Sequence, residues 1–375
     1  MCYCAYLSYS KNNTSQLWGL ISIIIFTLVF GLRYGVGVDY YSYANVYEYA
    51  EKYTSLVDLI EGELFEVGFS AIVFYGNFFH LPVYVFFSIL AFIQITLIYK
   101  TFKPEGNNLL VFIYLTLILT GFCMYSFMNI IRHEIALCFF LYGIKYIRDN
   151  KPTKYFITCL FAFAFHKSAL LIFPLYFFWI HKKSIFNNSI IQITILLACF
   201  AVSFIVPFQT ILAYVDQFAV MIGYDKYSDI ADSMTVNRVL GISRIMGLFT
   251  NIFIIAYNQK IKSYFKSDLF NIIYDLYFVG TCLGYAFMGS MMLLRAIVYF
   301  QHTQFIVLAY ALCYLYNTRK QTYTQLSLYF FFVVYIMVSY VSFIKDCKNN
   351  TGAYVGYFQK ELHSEKDLLF YDRHN

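Results

Sequence analysis

Long apolar runs separated by short polar clusters dominate this chain from end to end. Leu109–Phe127 and Leu326–Ile344 hold no charged residue, and each has the roughly 18–20 residues that cross a hydrocarbon layer as a helix. Repeating that reading along the chain predicts spans near 17–33, 82–99, 107–126, 131–147, 188–213, 239–258, 269–289, 296–316 and 326–344. The fold class this implies is all-α: a polytopic integral membrane helical bundle of about nine to ten spans. No internal repeat or low-complexity linker interrupts it, so residues 1–375 read as a single membrane domain.

The polar punctuation sets the topology. Basic clusters at Lys100–Lys103, Arg148–Lys154, His181–Lys183, Lys260–Lys266 and Arg319–Lys320 read as cytoplasmic loops, because Lys/Arg-rich short loops stay inside. Residues 35–66 carry Asp39, Glu48, Glu51, Asp58, Glu61, Glu63 and Glu66 against Lys52 alone, which makes them an outer-face polar loop. The first residues then lie inside and the tail 345–375 outside. Residues 155–180 break the alternation, because basic loops flank both of their ends. They are therefore expected to form a re-entrant or short-helix hairpin turning near His166–Lys167–Ser168, with a polar apex against protein or a wet cavity. Residues 64–80 read as an interfacial or partly inserted helix, with Pro82 opening the next one.

Composition strengthens this picture. Sixty per cent of the residues are hydrophobic and 13% are charged, where a soluble domain carries about 25% charged. The net charge of +6 is spread over short loops and speaks to topology rather than to nucleic acid. The nine cysteines fit no metal-ligand spacing and read as small buried hydrophobes. The first long apolar run, Leu17–Phe30, leads into polar sequence without a small-residue cleavage pattern. No Gly-Lys-Ser/Thr loop, dinucleotide fingerprint, histidine-rich metal cluster or hydrolase elbow is present, so no resident metal or cofactor is expected.

The arginines carry the first functional signal. Of the eight, Arg33, Arg132, Arg238, Arg244 and Arg295 fall at predicted outer ends of spans or in outer loops, while the lysines mostly lie on the inner side. A guanidinium presents a planar fork that pairs bidentately with phosphate, so arginines gathered on one face point to an anionic ligand such as a phosphate or diphosphate. Snorkelling to headgroups is the plain alternative for each taken singly. Candidate proton acceptors stand beside them: Asp39 after Arg33, Glu66, His133 and Glu134 after Arg132, and His166 at the proposed apex. An ionisable group at membrane depth is costly unless paired or functional, and a histidine bonded to a backbone carbonyl is the structural alternative for His166. Gly35 and Gly37 allow a tight turn below Asp39.

The run Gly31-Leu32-Arg33-Tyr34-Gly35-Val36-Gly37-Val38-Asp39-Tyr40-Tyr41-Ser42-Tyr43 resembles the Arg-x-x-x-Gly-x-Asp-Tyr-x-x-Tyr signature of EpsG-like polysaccharide polymerases. Ile131-Arg132-His133-Glu134-Ile135-Ala136 is similar to that family's Arg-Gln-Ala/Gly helix start, with His133 where glutamine is common. Phe165-His166-Lys167-Ser168-Ala169, followed by Pro174, is similar to its Phe-His-x-Ser-Ala segment. Order and spacing agree over roughly residues 17–300. Such proteins usually begin with a further apolar helix, so the start of this chain reads as truncated or mis-assigned.

The resemblance implies a Wzy-type polymerase of the bacterial cytoplasmic membrane, joining repeat units carried on polyprenyl diphosphate at the outer face for exopolysaccharide, capsule or O-antigen. A chain-length regulator and a repeat-unit flippase are the protein partners it implies, beside the lipid-linked oligosaccharide and the bilayer. On this reading Arg33, Arg132 and Arg295 clamp the diphosphate, and Asp39 or His166 takes the acceptor proton. Tyr40 and Tyr43 stack on sugars, Glu66 lies among the substrate contacts, and Arg238 and Arg244 hold acceptor phosphate or headgroups. Rival readings are a flippase or transporter of lipid-linked saccharide, a glycan ligase or acyltransferase at the same face, and a purely structural membrane subunit.

Overall fold

The computed structural model describes residues 1–10, 14–62, 65–106, 108–120, 122–179, 186–205, 242–287, 294, 297–350 and 355–358. Almost all of them are helical. In chain order the helices are α1 (Cys2–Leu7), α2 (Ser15–Gly31), α3 (Tyr40–Tyr49), α4 (Leu56–Glu61), α5 (Val67–Phe78), α6 (Val83–Phe102), α7 (Leu109–Leu119), α8 (Phe122–Asn129), α9 (Ile131–Arg148), α10 (Pro152–Phe165) and α11 (Leu175–Phe178). They continue with α12 (Ser189–Ile205), α13 (Ile242–Phe265), α14 (Asp268–Ala286), α15 (Val298–Gln301), α16 (Thr303–Thr318) and α17 (Tyr323–Asn350). The chain is an all-α multi-pass membrane protein. Every predicted span meets helix where it is described.

Two of those spans are broken. The apolar run after Asn108 divides into α7 and α8, bent by 76°, and the run before Arg319 divides into α15 and α16 at His302. Among the described residues, Val83–Glu105, Asp268–Ala286 and Tyr323–Ile344 are single helices long and apolar enough to cross a membrane, and the bent pair forms a fourth candidate. Shorter apolar helices such as α2, α5, α10 and α12 complete the set. Asp268–Ala286 is 67% buried whereas Tyr323–Ile344 is 11% buried. The first is an interior helix and the second presents its apolar surface outward, as lipid contact requires.

Between Pro152 and Trp179 the chain forms α10, an extended break at His166 (φ −155°, ψ 125°), a 3₁₀ helix Lys167–Ile172 and α11. α10 starts at Pro152, whose missing N–H costs nothing in the first turn. Its 14 residues rise about 21 Å, short of the roughly 30 Å of a hydrocarbon core.

The helices pack as two compact units, Met1–His181 with Ile336–Asn375, and Lys182–Tyr335. In the first, α9 is central, packing on α6 and α10 and burying Ile135, Leu137, Leu141, Ile144 and Ile147 completely. α2 lies along α6, and α5 lies against α10. Gly68 makes that last approach possible, because a Cβ there would stand 2.8 Å from the Ala164 carbonyl oxygen. A short antiparallel ladder joins β1 (Arg33–Tyr34) to β2 (Val355–Gly356), pairing Arg33 with Gly356 and Tyr34 with Val355. The apolar pattern carries no sign of this ladder. It anchors residues just beyond α17 to the loop that follows α2.

In the second unit, α14 packs against α12, α15 and α16. Polar side chains bond across these helices. Tyr274 Oη donates to Gln192 Oε1 at 2.5 Å, Tyr277 Oη donates to Asn251 Oδ1 at 2.7 Å, and Asn251 Nδ2 donates to Tyr285 Oη at 3.1 Å. Such bonds stabilise helix association where hydrophobic driving force is weak.

Candidate functional site

Four stretches of chain in the first unit meet at one cluster: the loop and helix 31–43, the start of α5, the α8–α9 junction, and the break after α10. α9 and α10 are joined through the Arg148–Lys151 turn, and the cluster stands at their other ends.

The loop after α2 is shaped by its glycines. Gly35 (φ 62°) and Gly37 (φ 98°) adopt left-handed backbone that L side chains rarely enter. A Cβ on Gly37 would also lie 2.8 Å from Asn129 Oδ1. That same Oδ1 accepts from the Asp39 amide at 2.9 Å, and the Val38 amide donates to Tyr125 Oη at 3.4 Å. Asp39 thus sits at the N-terminus of α3 with its backbone held by α8, and its carboxylate does not cap the helix.

Arg33 is 2% exposed. It donates to the Phe30 carbonyl and, at 2.8 Å, to the Met128 carbonyl. Its guanidinium lies 4.6 Å from the Phe87 ring centroid and 5.8 Å from that of Tyr40, and Tyr40 stacks on Phe87 at 4.8 Å. Arg33 therefore ties the end of α2 to the end of α8.

Arg132, on the first turn of α9, forms an ion pair with Glu66, which immediately precedes α5. Their side chains are 21% and 11% exposed. The guanidinium covers Phe65 at 4.2 Å and Phe69 at 5.9 Å, a cation–π arrangement that strengthens with desolvation. Arg132 Nε is a buried donor with no partner among the described residues. Arg132, Asp39 and Glu66 lie close enough to the Tyr43 hydroxyl to act on it electrostatically. Burial pushes the Tyr43 phenol up from its ordinary value, with Arg132 opposing, so it remains a neutral hydroxyl.

The break after α10 supplies the last wall. Glu66 Oε1 accepts from the Lys167 amide at 3.2 Å. The rings of His133 and His166 stack at 4.4 Å, 15° from parallel. Ser168 Oγ lies 2.6 Å from His166 Nδ1 and 3.4 Å from His133 Nε2. His133 is buried and His166 half-buried.

Of the residues singled out in the sequence, Asp39, Tyr43, Glu66, Arg132, His133 and His166 come together, with Arg33 and Tyr40 packed beneath the loop. Glu134 is fully buried on the interior side of α9, close to Cys123 and Cys138. Arg244 is on the first turn of α13, in the second unit. Arg238 and Arg295 lie outside the described residues. Asn129 is not legible as a site residue from the sequence, and Ser168 is marked there only by its place in the Phe-His-x-Ser-Ala segment. Neither carries charge, and each matters only through the group it holds. Among the described residues no group of three or more His, Cys, Asp or Glu is placed to hold a metal ion.

An ion-paired arginine, two carboxylates and two stacked histidines, gathered at helix ends, form a polar centre in this all-helical multi-pass membrane protein. Residues 16–357 match the family model described as the EpsG family. The chain therefore belongs to the EpsG family, a family of Wzy-like polysaccharide polymerases. No curated protein and no solved structure matches it.

Proposed function

We propose that this protein joins oligosaccharide repeat units carried on polyprenyl diphosphate, at the outer face of the bacterial cytoplasmic membrane, as a membrane glycosyltransferase. The observation that carries this reading is the partly exposed Arg132. It is ion-paired with Glu66, has an Nε without a partner among the described residues, and stands in the cluster that holds Tyr43, Asp39 and His166.

In the reaction the bond from the sugar anomeric carbon to the diphosphate oxygen breaks, and its electron pair leaves with the polyprenyl diphosphate. The acceptor hydroxyl oxygen bonds the anomeric carbon, and its proton goes to a base. Arg132 receives the charge that grows on the leaving diphosphate, displacing Glu66 from one face of the guanidinium. Preorganised donors of this kind usually contribute more than any other single effect to such catalysis. Asp39 is the first choice of base and His166 the second. By residue type Arg295, Arg238 and Arg244 are further candidate anion ligands, whereas Tyr40 and Tyr43 are buried against Phe87, Phe65 and Phe69 and serve packing instead of stacking on sugars. Residue type alone groups Arg33 with the clamp. Its bonds to the Phe30 and Met128 carbonyls support a positioning role instead, in which it holds the loop that carries Asp39.

One further feature supports the reading. α10 is too short to cross a bilayer from its basic start, which suits a polar centre reached from the other side.

The deciding measurement is the size of carrier-linked glycan in cells lacking the protein. Single repeat units are expected to accumulate while polymer disappears. Persistence of long carrier-linked chains would instead assign the protein to ligation or export. Transport of unchanged substrate across vesicles by the purified protein, without elongation, would make it a flippase. A second expected result concerns the loop. Gly37→Ala forces a Cβ against Asn129 in a left-handed backbone, a strain of about 1–3 kcal/mol. It should lower the elongation rate by about 100-fold, the scale set by a 1 Å misplacement of a reacting group, with the protein still inserted. Rates and membrane abundance measured side by side check this.

A further inference from the structure

The hydrogen bonds around His166 have a direction. The Ser168 amide lies 3.2 Å from His166 Nδ1, and an amide N–H can only donate. Nδ1 therefore presents its lone pair, and a neutral imidazole with an accepting Nδ1 carries its proton on Nε2. This tautomer is assigned from the bonding pattern. The Ser168 hydroxyl, 2.6 Å from the same Nδ1, donates to it as well. Ser168 Oγ then has its acceptor side left for His133 Nε2–H at 3.4 Å. The chain runs one way: His133 donates to Ser168, and Ser168 donates to His166.

From this geometry we infer that His166 acts as a hydrogen-bond donor through Nε2–H to the anionic oxygens of the leaving diphosphate, that Asp39 is the base, and that His133 and Ser168 are positioning residues holding His166 in the donor tautomer. The inference rests on the polymerase reading and deepens it, because the two candidates for the base now have different tasks. A ring whose basic nitrogen already receives two hydrogen bonds is poorly placed to take a proton from an acceptor sugar. The opposite edge carries a proton and is suited to stabilise an oxyanion. The stacking of His133 on His166 at 4.4 Å fixes the plane in which that edge points. Residue 133 matters here as a donor to Ser168, a task that a glutamine amide would also perform.

The test uses the purified full-length protein in lipid, with a polyprenyl-diphosphate-linked repeat unit as substrate, and compares His166→Gln with His166→Ala. A glutamine amide keeps an N–H donor but is no base. His166→Gln is expected to retain kcat within about tenfold of wild type, with His166→Ala lower by about 100–1,000-fold, the loss typical of one oxyanion donor. Equal inactivity of the two variants overturns the inference. For the positioning residues, His133→Phe keeps the ring stack and loses the donor, and its kcat is expected to fall with KM unchanged. His133→Gln is expected to restore it.

A second readout is independent of activity. The ¹⁵N spectrum of histidine-labelled protein, with the His166 signal assigned by its disappearance in His166→Gln, should show the Nε2–H tautomer, and Ser168→Ala should disturb it. An Nδ1–H ring in wild type overturns the inference whatever the rates. If wild type itself fails to elongate the substrate, the polymerase reading falls, and the spectrum still decides the direction of the hydrogen-bond chain.

Discussion

Asp39→Asn is expected to lower the rate of repeat-unit joining by about 100- to 10,000-fold, the range spanned by loss of a general base, while leaving the protein folded and inserted. The substitution is nearly isosteric. It preserves the backbone bond from residue 39 to Asn129 Oδ1, 2.9 Å long, so the loop keeps its anchor to α8. α3 does not rely on the carboxylate as a cap, so its start is unaffected. What changes is the charge beside Tyr43 and Arg132, and with it the capacity to accept a proton. Single-turnover rates on purified wild type and variant, with substrate binding measured separately, check the assignment. A variant within about threefold of wild type would move the base elsewhere.

Arg132→Ala carries the other large effect, an expected loss of about 100–1,000-fold in rate, the scale of one electrostatic donor removed from a preorganised site. The plain alanine variant has a second consequence. Glu66 is 11% exposed, and without Arg132 it keeps the Lys167 amide but loses its cationic partner. An uncompensated carboxylate in that setting destabilises the fold. The double variant Arg132→Ala/Glu66→Gln removes this cost, so it should recover thermal stability and membrane abundance without recovering rate. Recovery of both would show that Arg132 acts only by neutralising Glu66, and the clamp role would fall. Arg132→Lys keeps charge but not the planar fork and is expected to remain well below wild type.

Arg33 and Arg132 show how far residue type leads and where it stops. Both stand in motif-like runs at predicted outer ends of spans, and both read as anion ligands from the sequence. Their surroundings differ. Arg33 is buried on two backbone carbonyls, whereas Arg132 is partly exposed on a carboxylate. Nothing in the local sequence distinguishes them, because the carbonyl of Met128 and the carboxylate of Glu66 arrive from other helices. Glu66 and Lys167 are 101 positions apart, and His133 and Ser168 are 35 apart. No helical period connects residues at such distances.

The sequence by itself determined the helical membrane class, where the apolar runs form helix though not the breaks between α7 and α8 and at His302, the tight loop at Gly35 and Gly37, and the break at His166. These follow from run length, from the steric freedom of glycine and from the cost of polar groups in lipid, all local properties. Only the tertiary structure decided which polar groups meet. It paired Arg132 with Glu66, stacked His133 on His166 across Ser168, set Asn129 beneath Asp39 and fastened β2 to β1. Those choices depend on which helix faces pack together, and apolar runs buried nearly all round carry little record of that. A site assembled from the ends of several such helices becomes visible when their relative placement is known.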